Sequence, residues 1–254
     1  MYPDLFKVGS ITIHSYGVML MISFIVGMWL CVRRAPRWGL TKDNVVDSAM
    51  WALVLGVLGA RALYIALDWG YYAEHRNELF QWQFNGLTSF GGVLGGLLGL
   101  MIGMWRAKKS PLQMLDVAGA AFLLAHPIGR IGCLLNGCCY GGQCDLPWGI
   151  HVGSLPGLFH PAQVYDGLLN LVALAVLLLI ERRHLKLGQS FGFFLILHGL
   201  TRVIYEFWRA GTSSTYFHGL PITDAQLAAL IFMVVGAVIV VIRGRGQLVE
   251  PVSA

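Results

Sequence analysis

The sequence predicts an all-α integral membrane protein of seven transmembrane helices, with its N-terminus outside and its C-terminus in the cytoplasm. Three observations carry this. Hydrophobic residues make up 56% of the 254 and charged residues only 12%, about half the charged share of an average soluble domain. Apolar runs long enough to cross about 30 Å of hydrocarbon recur at 11–32, 44–67, 88–105, 112–136, 162–180, 189–208 and 225–242. The basic residues between them alternate in density: Arg33, Arg34, Arg37, Lys42, Arg106, Lys108, Lys109, Arg182, Arg183, Lys186, Arg243 and Arg245 fall on one side, and only Lys7, Arg76 and Arg209 on the other. Twelve against three assigns the richer side to the cytoplasm. The net charge of +5 is therefore a topology signal, and no nucleic-acid partner is expected. The runs leave no room for a soluble domain, so residues 1–254 are expected to form a single polytopic membrane domain.

The first run lacks a basic leader and a small-residue cleavage signature, so it reads as a retained helix. It carries His14 and Tyr16 near its outer end. The second climbs outward to Arg61, about 25 Å from its start at 1.5 Å per residue. Trp69, Tyr71, Tyr72, Trp82 and Phe84 follow, an aromatic segment expected along the outer interface. The third opens at Ser89-Phe90-Gly91-Gly92 and continues with Gly95, Gly96, Gly99 and Gly103. Glycines at this spacing let a neighbouring helix approach closely, and Gly91 and Gly92 also offer room for a ligand. The fourth starts at Pro111, and His126-Pro127 is expected to kink or interrupt it, because proline removes a backbone donor. The fifth opens His160-Pro161-Ala162-Gln163-Val164-Tyr165-Asp166; the sixth carries His198, Arg202 and Glu206 on one face. The seventh is apolar throughout and reads as structural.

Residues 126–142, His-Pro-Ile-Gly-Arg-Ile-Gly-Cys-Leu-Leu-Asn-Gly-Cys-Cys-Tyr-Gly-Gly, concentrate polar groups where lipid tolerates few. By depth, Arg61, Arg130 and Arg202 come from three helices to the outer part of the membrane, with Tyr16, Ser89, His160, Gln163, Asp166 and Glu206 at similar height. A guanidinium keeps its charge and grips phosphate with a planar fork, so the expectation is an anion site for a lipid phosphate, entered from the outer leaflet. His126, His160, His198 and Glu206 are its candidate bases. Cys133, Cys138, Cys139 and Cys144 are spaced C-x4-C-C-x4-C, which fits no standard zinc pattern. A disulfide from Cys144 to Cys138 or Cys139, a metal site with His151 or His160, and reactive thiols all remain open. Cys31 reads as a small apolar filler.

These residues resemble the prolipoprotein diacylglyceryl transferases, integral enzymes of the bacterial inner membrane. The resemblance runs through Ile13-His14-Ser15-Tyr16-Gly17, Gly59-Ala60-Arg61, Gly129-Arg130-Ile131-Gly132, Asn136-Gly137, the His160 to Asp166 motif, and Arg202, Glu206 and Arg209. It implies transfer of the diacylglyceryl group of phosphatidylglycerol to the lipobox cysteine of a prolipoprotein signal peptide, without cofactor or metal, releasing glycerol 1-phosphate. With the depth reading, it assigns Arg130, Arg202, Glu206, His198, His160 and Tyr16 to catalysis. Arg61, Ser89, Gly91, Gly92, Asn136, Gln163, Tyr165 and Arg209 are assigned to binding substrate. The chain departs from the family's pattern at Gly91, where a histidine is common, at Cys133 and Cys138, where asparagine and glutamate are usual, and at His198, where a tyrosine is common. Two other readings follow from those departures: a membrane thiol-redox or metal-binding protein on the same scaffold, and a phospholipid-binding homologue without catalysis.

Overall fold

The structure, a computed structural model, describes residues 2–8, 11–78, 88–209 and 222–244. Eight helices appear among them: α1 Ser15–Arg34, α2 Lys42–Leu67, α3 Trp69–Glu74, α4 Ser89–Arg106, α5 Pro111–Asn136, α6 Ala162–Ile180, α7 Gln189–Glu206 and α8 Asp224–Arg243. Two small ribbons accompany them, β1 Asp4–Val8 with β2 Ile11–His14, and β3 Gln143–Cys144 with β4 Leu158–Phe159, both antiparallel. The fold is thus largely helical, as expected, with short β-pairings outside the helices. Residues 11–14 are strand and not the first turn of α1: Ile11-Thr12-Ile13 alternates β-branched side chains, which favour a pleated ribbon.

Seven spans were expected, whereas five helices among the described residues are long and apolar enough to cross a membrane. They are α1 with its extension to Trp38, α2, α5, α6 and α8. In α4 the apolar stretch, Phe90–Arg106, is shorter; α7 is diluted by Gln189, Ser190, His198, Arg202 and Glu206. Burial is inverted relative to a soluble bundle. Leu168, Val172 and Leu179 of α6 are exposed, while Gln163, Asp166 and Asn170 on its other face are wholly buried. Apolar side chains outward and polar ones inward is the arrangement a hydrocarbon solvent selects.

The helices form two compact units, one of Arg34–Met114, the other of the chain up to Arg33 and from Leu115 onward. In the first, α2 begins with a capping box between Thr41 and Asn44 and packs antiparallel on α4. The register is set by glycine: a Cβ on Gly91, Gly95, Gly99 or Gly103 would strike Gly59, Leu55, Trp51 or Ser48 of the facing helix. Gly91, Gly95, Gly99 and Gly103 thus serve close packing, whereas a Cβ at Gly92 or Gly96 would stand at ordinary contact distance. Thr88 ties the start of α4 to α2, donating from both N and Oγ1 to the Ala60 carbonyl, at 3.2 and 3.1 Å. Arg61 lies over the rings of Tyr64 and Tyr72, 5.8 and 5.4 Å from their centroids. Trp82 and Phe84 of the expected interfacial segment lie outside the described residues.

In the second unit α5 runs unbroken through Pro127, so the expected interruption is absent. One missing donor costs a single helical bond, and beside it Ser23 Oγ of α1 donates to the Ala125 carbonyl at 2.7 Å. Buried Asp116 caps the start of α7, its two oxygens accepting from Gly188 N at 2.6 Å and Phe191 N at 2.8 Å. An apolar core of Ala120, Leu123, Ala173, Leu174, Leu177 and Phe194 joins α5, α6 and α7. Helix α8 closes against α7 through Gly192 facing Gly236 and Gly199 facing Ala229.

Replacing Gly95 by leucine is expected to destabilise the chain by about 3 kcal/mol or more, since backbone faces the new side chain. Gly17→Ala, which meets no neighbour, is expected to change stability by less than about 1 kcal/mol; thermal unfolding in detergent compares them.

Candidate active site

Three helices of the second unit each turn one polar face inward. His126, Arg130 and Cys133 recur at one-turn spacing on α5, Gln163, Asp166 and Asn170 on α6, and His198, Arg202, Tyr205 and Glu206 on α7. They converge on Asp166, which has no exposed surface. Its Oδ2 forms an ion pair with Arg130 Nε at 2.6 Å and lies 2.9 Å from His126 Nε2, Arg130 Nε donates to His126 Nε2 at 3.3 Å, and Arg202 Nη1 stands 4.0 Å from the carboxylate. Its Oδ1 accepts from Asn170 Nδ2 at 3.0 Å, and the same amide donates to the Asp166 carbonyl at 2.7 Å. That fixes the amide's orientation, so Asn170 Oδ1 faces His198 Nδ1 at 3.0 Å, which must be the protonated nitrogen.

The Tyr205 ring contacts both arginines: Arg130 Cζ lies 5.1 Å and Arg202 Cζ 4.8 Å from its centroid, within cation–π range. One turn on, the buried Glu206 carboxylate lies 3.9 Å from Arg202 Nη2 and 3.8 Å from Arg209 Nη1, and its Oε1 accepts from Thr223 Oγ1 at 3.3 Å. Among the described residues Glu206 Oε2 has no hydrogen-bond partner. Three guanidiniums thus share two carboxylates, leaving a positive excess inside the helices.

The cluster opens sideways. A cleft of about 190 Å³ between α5 and α6 is lined by Pro127, Arg130, Ile131, Leu134, Gln163, Val164, Gly167, Leu168 and Leu171. Of its lining, Ile131, Val164, Leu168 and Leu171 are apolar and exposed, Gln163 is buried, and Arg130 is the one charge. A second apolar cleft, about 430 Å³, lies under Trp148, His160, Tyr165 and Trp208. There the Tyr165 hydroxyl accepts from Trp148 Nε1 at 2.8 Å and lies 3.3 Å from His160 Nδ1.

Beyond α5 the chain folds back. Gly137 and Cys139 adopt positive φ, 74° and 62°, and Cys138 N bonds to the Cys133 carbonyl at 3.0 Å. Gln163 Nε2 pins the turn by donating to the Cys138 carbonyl at 2.6 Å. The Sγ atoms of Cys133, Cys138 and Cys139 come within 4.8 Å of one another. Cys144 stays apart in β3, neither His151 nor His160 joins the trio, and none of the five cysteines forms a disulfide. A hydrogen bond from Cys133 pulls the Cys139 thiol down to about 5, aided by Cys138, Arg130 and Arg209 and opposed by burial.

Of the residues singled out in the sequence, Arg130, Arg202, Glu206, His198 and Arg209 meet in one cluster. Tyr16 packs on Gly132, within a residue of Cys133, and Asn136 closes α5. Gln163, expected to touch substrate, holds the cysteine turn. Tyr165 and His160 form the aromatic rim of the larger cleft. Arg61, Ser89, Gly91 and Gly92 belong to the other unit. Asn170 and Tyr205 escaped sequence reasoning, although each sits three or four residues from a charged member of its own helix. Asp166 was visible only as one of two carboxylates, not as the centre.

A family profile described as prolipoprotein diacylglyceryl transferase matches residues 3–242. The chain belongs to the prolipoprotein diacylglyceryl transferase family. Among similar proteins, the phosphatidylglycerol-prolipoprotein diacylglyceryl transferase of Streptococcus mutans serotype c is 31% identical over 258 residues, covering 96% of each chain. That of Lactobacillus acidophilus is 28% identical over 261 residues, 98% of this chain and 91% of the relative. That of Clostridium tetani is 30% identical over 214 residues, 82% and 86%. Family membership supports a transferase role in lipoprotein maturation, in keeping with the several long apolar helices.

Removing Asp166 strands the Arg130 guanidinium, 15% exposed, and leaves Arg202 with Glu206 as its counter-charge. Asp166→Ala is expected to cost about 3–5 kcal/mol of stability, the usual cost of orphaning a buried charge. The Asp166→Ala/Arg130→Ala double variant is expected to recover part of that loss; denaturant unfolding of the two variants checks it.

Proposed function

We propose that this chain transfers the diacylglyceryl group of phosphatidylglycerol to the thiol of a lipobox cysteine, in the inner membrane of a bacterium. The observation that carries this is the positive excess of Arg130, Arg202 and Arg209 over Asp166 and Glu206, together with a largely apolar cleft that Arg130 lines. A two-chained anionic lipid needs that combination: hydrocarbon walls for the acyl chains and fixed cations for the phosphate.

Arg130 and Arg202 bind the phosphate and hold the charge that grows on it as the bond from the diacylglyceryl carbon to oxygen breaks. Their geometry is set in advance by Asp166 and Tyr205, so little reorganisation is needed at the moment of reaction. Glu206, whose Oε2 has no hydrogen-bond partner among the described residues, takes the acceptor's proton. His198 is a positioning residue, orienting Asn170 and through it Asp166. Tyr16 and Asn136 flank the acceptor's approach at the end of α5, and His160 and Tyr165 line its apolar rim. Arg61 remains assigned to the lipid from its motif, Ser89 from its expected depth and Gly92 from the room it leaves, while Gly91 serves packing.

The whole chain forms one polytopic domain in which α4 and α7 also cross, giving seven spans. The N-terminus lies outside, as the distribution of lysine and arginine requires. The site then sits toward the outer leaflet, where signal peptides emerge.

The test is a transfer assay in liposomes with phosphatidylglycerol and a lipobox peptide. Arg130→Gln and Arg202→Gln are each expected to lower kcat by about 10²–10³, the cost of losing one preorganised donor to a developing oxyanion. Absence of transfer by the wild type, or full activity in both variants, would refute the reading.

A further inference from the structure

The cysteine trio has a geometry that the arginine cluster leaves unused. Cys133 is buried in the last turns of α5, and Cys138 and Cys139 return over it from the turn that follows. The return requires a left-handed backbone at Cys139, φ 62°, a conformation uncommon for any residue but glycine, asparagine or aspartate. Such strain persists where the surroundings enforce it; here Gln163 Nε2 on the Cys138 carbonyl and the Cys138 N bond to the Cys133 carbonyl do so. The result is three Sγ atoms mutually within 4.8 Å. Thiolates at about 2.3 Å on a tetrahedral zinc stand roughly 3.8 Å apart, a difference that χ1 rotation of the half-buried pair covers.

We propose that Cys133, Cys138 and Cys139 hold a thiophilic divalent ion of the zinc class, and that its fourth position receives the acceptor thiol. Soft thiolates select such ions, and three protein ligands with one exchangeable position is the pattern of a catalytic zinc site. Cys133 lies three residues beyond Arg130, about 4.5 Å along the helix axis, so the metal adjoins the phosphate site. The segment carrying Arg209 is tied to the chain just after the trio, Gly142 N bonding to the Trp208 carbonyl at 2.9 Å and Gly141 pairing with Arg209. That tie holds the Arg209 backbone beside the chain that follows the trio.

The inference rests on the proposed transfer and deepens it. On coordination the acceptor thiol loses its proton to the site's base. The thiolate sulfur then forms the bond to the diacylglyceryl carbon, the carbon–oxygen bond breaks, and glycerol 1-phosphate leaves with the electron pair. The thioether product is a weak ligand and departs, leaving the metal in place.

The test uses the full chain in detergent, reduced, stripped with a chelator and titrated anaerobically with Co(II). The expected result is one equivalent bound, with thiolate-to-cobalt charge-transfer absorption and tetrahedral d–d bands, displaced by one equivalent of Zn(II). Cys138→Ser and Cys139→Ser, each checked for native helix content by circular dichroism, are expected to weaken binding at least 100-fold, and Cys31→Ser and Cys144→Ser to leave it unchanged. A lipobox peptide is expected to shift the d–d bands, and its cysteine-to-serine analogue not to. No stoichiometric binding, binding indifferent to Cys138 and Cys139, a disulfide within the trio of the active protein, or bands unmoved by the thiol peptide would each overturn the proposal. The titration needs neither lipid nor turnover, so its failure leaves the proposed transfer standing, and failure of transfer leaves the titration's result standing.

Discussion

The buried carboxylate of Asp166 is the constraint on which the rest of the site depends. Two guanidiniums placed among apolar helices repel one another and pay a heavy desolvation cost, and neither is stable there without a counter-charge. Asp166 supplies it, bonding Arg130 directly at 2.6 Å and facing Arg202 at 4.0 Å. It is itself held by His126 and Asn170. Tyr205 completes the arrangement by offering its ring to both cations. The carboxylate neutralises one charge of the two, and Glu206 only one more as Arg209 joins, so the site keeps an appetite for an anion. An ion-pair network that balanced fully would be structural glue; this one is built one negative charge short.

That arrangement requires α5, α6 and α7 to approach closely with polar faces inward and apolar faces outward. The inverted burial of α6, with Asp166 and Asn170 covered and Leu168 and Val172 exposed, meets this condition and suits a lipid surround. Where α5 and α6 part, a cleft of mostly apolar side chains reaches Arg130, with Gln163 its other polar group; in the proposed transfer this is the lipid's entrance.

Much of this was legible in the sequence because charge in an apolar run is costly and stands out. Arg130, Arg202 and Glu206 were visible for that reason, and so was the glycine ladder of α4, whose period of four matches one helix face. Other features were hidden. Asn170 and Tyr205 are ordinary enough in a helix that only the structure gives them partners. Pro127 signalled a break that α5 does not have, since the tertiary setting tolerates one missing hydrogen bond. The ribbon at 11–14 was absorbed into a hydrophobic run because hydropathy does not distinguish strand from helix over four residues. The cysteines were read by spacing alone, and spacing does not report the left-handed turn at Gly137 and Cys139 that gathers three of the four and leaves Cys144 aside.

The central claim is that a carboxylate-held arginine pair forms a phosphate site. It is tested most directly by equilibrium binding of glycerol 1-phosphate to the detergent-solubilised wild type and to Arg130→Gln, with folding of both verified by thermal melts. A charge-assisted hydrogen bond is worth about 1.5–3 kcal/mol, so the account predicts an affinity about ten- to a hundred-fold weaker in the variant. Equal affinity in the two proteins, both folded, would contradict it.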